Sequence, residues 1–92
     1  MKLKSVYIKE FSKIGTIQSR KTIEYNICES ELGDFTIYGV HLREKKRAVI
    51  VEKIVNHVSS DYCKVLDILQ FLYENSVSPV NAKDIVEDLL HE

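Results

Sequence analysis

The sequence predicts an α+β domain: a four-stranded, mostly antiparallel sheet followed by a two-helix hairpin, in the order ββββαα. Two observations carry this. Up to about residue 58 the apolar residues fall in short runs rich in Val, Ile, Tyr and Thr, the composition of strands. Beyond it they recur at helical spacing, first through Tyr62 to Tyr73 and again through Ile85 to Leu90. Strands first and helices last is the order of an α+β domain. At 92 residues, 1–92 forms one small domain, and a chain this short gains stability by burying further surface against a partner.

Strand 1 is expected over about Lys2 to Phe11, with apolar residues on both faces. Ser12 to Arg20, which contains Gly15, reads as a loop. Strand 2 runs over about Lys21 to Glu29, where Ile23, Tyr25 and Ile27 alternate with Thr22, Glu24 and Asn26. Glu31-Leu32-Gly33-Asp34 is a turn, and strand 3 returns antiparallel over about Phe35 to Arg43. Tyr38, Val40 and Leu42 share one of its faces, Phe35 and Ile37 the other, and Gly39 marks a bulge or a close approach. Arg43 to Arg47 is charged enough to be the next turn. Strand 4, about Ala48 to Val55, holds Val49-Ile50-Val51, the most continuously apolar stretch, and is placed centrally or under a helix.

The first helix is expected over 61–74. Ser59 is its N-cap, Val58 packs on Cys63 as a hydrophobic staple, and Asn75 is its left-handed terminator. Tyr62, Val65, Leu66, Leu69, Leu72 and Tyr73 form its apolar stripe. Asn81 caps the last helix, 82–90, with Val80 and Ile85 as its staple; Ser78 with Pro79 at the first helical position is the competing cap. Ile85, Val86, Leu89 and Leu90 face inward, and Asp84, Glu87 and Asp88 face solvent.

The net charge of −1 is unevenly placed. Residues 1–58 carry 11 Lys and Arg against 7 Asp and Glu, and residues 59–92 carry 2 against 7, so the halves differ as +4 and −5. The amino terminus is charged every few residues and has no apolar segment of a signal peptide. No apolar run approaches the roughly 18–20 residues that cross a bilayer. A cytoplasmic protein is therefore expected, with no membrane association and with Cys28 and Cys63 as reduced, inert thiols.

Cys63, in the first turn of a helix with His57 close in sequence, is the nucleophile candidate for a thiol-dependent enzyme; its acidic neighbours Asp61 and Asp67 argue against that role, and a packing role is simpler. His41, His57, His91, Cys28 and Cys63 show no paired metal-ligand spacing, so neither a metal nor a cofactor is expected. No phosphate-binding glycine motif or nucleophile elbow occurs. Arg43, Lys45, Lys46 and Arg47 offer a nucleic-acid contact, interrupted by Glu44; a solvated hairpin tip explains the same charges. The five tyrosines suit an interface or the rim of a small core equally.

Val77-Ser78-Pro79 followed by Asp84-Ile85-Val86-Glu87-Asp88-Leu89-Leu90, with Val58-Ser59-Ser60-Asp61 before a helix and Tyr38-Gly39 in a strand, resembles a family of uncharacterised small proteins from clostridia and related Firmicutes. The resemblance covers about a third of the chain, mostly capping and core residues. It implies a bacterial intracellular protein and carries no activity with it.

These readings converge on a non-catalytic protein-interaction or regulatory module, with Tyr38, Asp84, Glu87 and Asp88 as its candidate surface. The partner is a protein or a second copy of the chain, a two-fold dimer joined through edge strand 1 or 3. Nucleic-acid binding through 43–47 is the alternative, and thiol chemistry at Cys63 comes third.

Overall fold

A computed structural model describes residues 2–11 and 20–91. The chain folds as β1 (Lys2–Phe11), β2 (Lys21–Leu32), β3 (Phe35–Lys46), β4 (Val49–Ser59), α1 (Tyr62–Glu74) and α2 (Pro79–Leu90). All three strand pairings are antiparallel, in the spatial order β1-β2-β3-β4. The expected loop from Ser12 to Arg20 lies, apart from Arg20, outside the described residues.

The β2–β3 hairpin turns on two residues, Gly33 and Asp34, between the paired Leu32 and Phe35. Gly33 has φ +60, the first-position geometry that glycine adopts without a Cβ penalty. With the turn fixed there, pairing runs unbroken back to Lys21 opposite Lys46. Tyr25 then opposes Leu42, and Ile27 opposes Val40. Directly opposed residues share a face, so Ile23, Tyr25, Ile27, Val40 and Leu42 form one apolar sheet surface, fully or almost fully buried. Val65, Ile68, Leu69 and Leu72 of α1, Ala82 and Val86 of α2, and Val77 between them complete the same core. Both helices therefore lie on one side of the sheet.

Three expectations about the strands are corrected. Arg43 to Lys46 continue β3, and only Arg47 and Ala48 make the turn. Cross-strand ion pairs let a charged run extend as strand: Lys21 meets Glu44 at 3.5 Å, and Arg43 meets Glu24 at 3.6 Å and Glu52 at 3.8 Å. β4 is an edge strand, not a central one, and α2 packs against one of its faces, as the alternative placed it. Its apolar run sits at the far end of the hairpin, beyond the helices' reach, and Val49 is 63% exposed. The sheet edges are β1 and β4, so strand 3 has no free edge.

Gly39 has the close approach expected of it. A Cβ there would collide with the Val55 carbonyl oxygen and lie 2.9 Å from Cys28 Sγ. The β3–β4 register shifts at this point, and His57, on the bulged strand, has φ 56.

The helix ends differ from expectation by a few residues. Asp61, not Ser59, caps α1, its carboxylate accepting from the backbone N–H of Cys63 at 3.0 Å and Lys64 at 3.3 Å. Ser59 Oγ instead accepts from the Asp61 N–H. Advancing the cap leaves Cys63 exposed and removes the Val58–Cys63 staple. At the other end Ser76, not Asn75, is left-handed, with φ 53. The Val77 N–H bonds to the Leu72 carbonyl at 3.0 Å and the Ser76 N–H to the Tyr73 carbonyl at 3.1 Å, a Schellman motif that buries Val77. Ser78 and Pro79 win the competition to start α2, which places Asn81 inside the helix and Val80 in solvent.

The tyrosines fasten α1 to the sheet. Tyr73 stacks on Tyr7 at 4.6 Å and meets Tyr25 edge-on at 5.8 Å, while Tyr62 meets Tyr38 edge-on at 5.3 Å. Tyr25 is buried and donates its hydroxyl to the Val77 carbonyl at 2.9 Å. Burial first, then the Glu44 carboxylate and Tyr73, pushes its pKa from 10.0 up to about 12.

Leu69 is fully buried and Leu66 only partly so. Leu69→Ala is expected to cost about 2–5 kcal/mol and Leu66→Ala distinctly less; equal losses in urea denaturation would contradict this packing. The folded state holds the Tyr25 proton more tightly than the unfolded chain, so its contribution is whole below pH 10.0 and is lost as pH rises through about 12. Stability of the unsubstituted protein should fall across that window more steeply than that of Tyr25→Phe. Parallel curves would show that this hydroxyl is not the titrating group.

Candidate functional site

The side of the sheet away from the helices is uncovered by any described element. Alternation along the strands assigns it Leu3, Ser5, Ile8 and Glu10 from β1 and Thr22, Glu24, Asn26, Cys28, Ser30 and Leu32 from β2. β3 adds Phe35, Ile37, Gly39, His41, Arg43 and Lys45, and β4 adds Ile50, Glu52 and Ile54. Nine large apolar residues are exposed among the described residues, and six of them, Leu3, Ile8, Leu32, Phe35, Ile50 and Ile54, lie on this face. Four of the six lie on the edge strands as apolar flanks, and Leu32 and Phe35 close the hairpin end of the polar strip that the central strands supply between them.

The strip has a buried polar centre. Asn26 and His41 are directly paired across β2 and β3 and are 6% and 4% exposed. Asn26 Nδ2 lies 2.9 Å from His41 Nδ1, and His41 Nε2 lies 3.1 Å from Glu52 Oε1. A neutral imidazole protonated at Nε2 satisfies both contacts, donating to the carboxylate and accepting from the amide. Glu52 also meets Arg43, which in turn meets Glu24. Asn26 Oδ1 is a buried acceptor with no hydrogen-bond partner. One pair along, Cys28 donates weakly to Asn56 Oδ1 at 3.8 Å, and burial pushes its thiol pKa up. Both ring nitrogens of His41 are engaged and Cys28 is held as a thiol. The arrangement ties β2, β3 and β4 together at the middle of the face.

The residues singled out from the sequence are dispersed. Arg43 is tied to two glutamates on the open face, whereas Lys45, Lys46 and Arg47 are exposed at the β3–β4 tip, Arg47 in the turn with φ 57. Glu44, Lys46, Arg47, Val49 and Val51 line a shallow groove there. Tyr38 faces the helices and packs on Tyr62, while Asp84, Glu87 and Asp88 are exposed on α2. His57 sits on the β4 bulge and Cys63 on the first turn of α1, with its N–H on Asp61. Both cysteines are free thiols. Among the described residues no group of three or more His, Cys, Asp or Glu is placed to hold a metal ion, and no helix is long and apolar enough to cross a membrane.

Sequence reading missed the Asn26–His41–Glu52 chain. The signal was present: with the turn at Gly33-Asp34, Asn26 falls opposite His41 between apolar pairs on either side. Cys63 is exposed, not the inert packed thiol expected, so a thiol reagent at neutral pH should label it in the folded protein and Cys28 only after denaturation. Native labelling of two thiols would open the centre of the strip to solvent.

A family of unknown function (DUF6514) matches residues 5–92, nearly the whole chain, and the chain belongs to it. No curated protein and no solved structure matches.

Proposed function

We propose that this member of a family of unknown function is a non-catalytic protein-interaction module of the bacterial cytoplasm, docking through the helix-free face of its sheet. The observation that carries the reading is the concentration of exposed apolar residues on that face. Exposed apolar residues gathered on one face, here on either side of a polar strip, mark association surfaces. The buried Asn26–His41–Glu52 chain fixes the polar strip between the apolar flanks and leaves the Glu52 carboxylate half exposed on it. Its place is the docking of a partner in regulation or assembly, with no chemistry performed on it.

The nucleic-acid reading loses support at Arg43, whose charge is engaged by Glu24 and Glu52. Lys45, Lys46 and Arg47 remain as a small basic tip. The thiol reading loses support at Cys63, whose helix terminus is already occupied by the Asp61 carboxylate.

A photo-crosslinking residue placed at Ile54 in cells, with one at exposed Lys83 on α2 as control, separates the readings. Position 54 should give discrete protein adducts that nuclease leaves unchanged. No adduct from position 54, or only nuclease-sensitive ones, would reject docking through this face.

A further inference from the structure

We propose that a second copy of the same chain covers the open face, two sheets packing face to face about a two-fold axis that runs along the strands. This rests on reading that face as a protein-docking surface and names its occupant.

The size is right for a sheet. Strands of 10 to 12 residues, at about 4.8 Å between strands and about 3.3 Å per residue, make a four-stranded face of roughly 700 Å². A stable standard interface takes about 800 Å² from each partner. A small ligand or a single peptide strand would leave most of the apolar flanks in water, whereas another sheet covers both.

The charges select the arrangement. A two-fold along the strands lays β2 of one copy over β3 of the other, and β1 over β4. Glu24 then faces the second copy's Arg43, twice by symmetry, and on the edge strands Ile54 lies over Ser5, between the second copy's Leu3 and Ile8, while Ile8 lies over Glu52 and Ile50 over Glu10. Leu32 faces Phe35 in the same way. A two-fold across the strands lays β3 on β3 and, where it crosses at the Glu24–Arg43 pair, brings Arg43 toward Arg43. The roughly 30° rotation between aligned sheets is shared equally about the first axis.

Sedimentation equilibrium of the 92-residue chain tests this with Glu24→Arg and Arg43→Glu, alone and mixed. The unsubstituted chain should dimerise with concentration. Each single variant should weaken dimerisation by at least about tenfold, because like charges then oppose across the axis. An equimolar mixture of the two should restore it, since each Arg pair meets a Glu pair. The double variant Glu24→Arg/Arg43→Glu should also dimerise, and it keeps the ion pair within the chain if a single variant fails to fold. The proposal is overturned by a monomer of 10.7 kDa at every concentration, by a dimer indifferent to both reversals (as edge-to-edge pairing of β1 or β4 would be), or by a mixture that stays monomeric. A monomer whose position 54 still crosslinks to a different protein rejects only the second copy. Absence of any adduct at position 54 rejects the docking reading itself.

Discussion

The register between β2 and β3 is the constraint on which the rest depends. Twelve consecutive pairs, from Lys21 with Lys46 to Leu32 with Phe35, follow from one two-residue turn at Gly33 and Asp34. That register puts Tyr25 beside Leu42 and Ile27 beside Val40 on one face, and Asn26 beside His41 on the other. A slip of one residue would exchange the faces of one strand relative to the other. It would bury a glutamate against the helices and expose the core. The burial of five large side chains under α1 and α2 therefore locks the register more firmly than the turn alone.

The helices pack on one side because their apolar stripes have one sheet surface to meet. α1 is held at both ends by tyrosine pairs to the sheet, and Lys9 reaches across from β1 to lie 4.7 Å over the Tyr73 ring and 3.0 Å from Ser76 Oγ. The Schellman turn at Ser76 then sends Val77 into the core and points Pro79 along α2. Two helices of 12 and 13 residues are too few to cover both faces of a four-stranded sheet. That the described helices leave the other face uncovered is thus a consequence of the direction set by that one turn.

What the uncovered face carries is not the usual solvated alternation. Antiparallel sheets commonly show polar residues on the open side, and here Glu24, Arg43 and Lys45 obey that rule. Leu3, Ile8, Ile50 and Ile54 on the two edge strands do not. Gly39 adds a further constraint, since only a residue without a Cβ lets the β4 backbone approach so closely beside Cys28. The close contact at Gly39 and the Asn26–His41–Glu52 chain hold the middle of the face rigid, which lowers the entropy lost when another surface packs on it.

By itself the sequence determined the fold class, the element order, the hairpin at Gly33, the inward faces of β2 and β3, and the special role of Gly39. Each of these is written in local periodicity or in the conformational limits of one residue. Cap positions came out a few residues off because Ser59, Asp61, Ser78 and Asn81 are all competent caps, and packing chose among them. The charged run at 43–47 read as a turn because its countercharges, Lys21, Glu24 and Glu52, are distant in sequence. Only the tertiary structure decided that β4 lies at the edge, that both helices share one side, and that Asn26, His41 and Glu52 form a chain. Those facts depend on contacts between residues far apart in the chain, which no local pattern encodes.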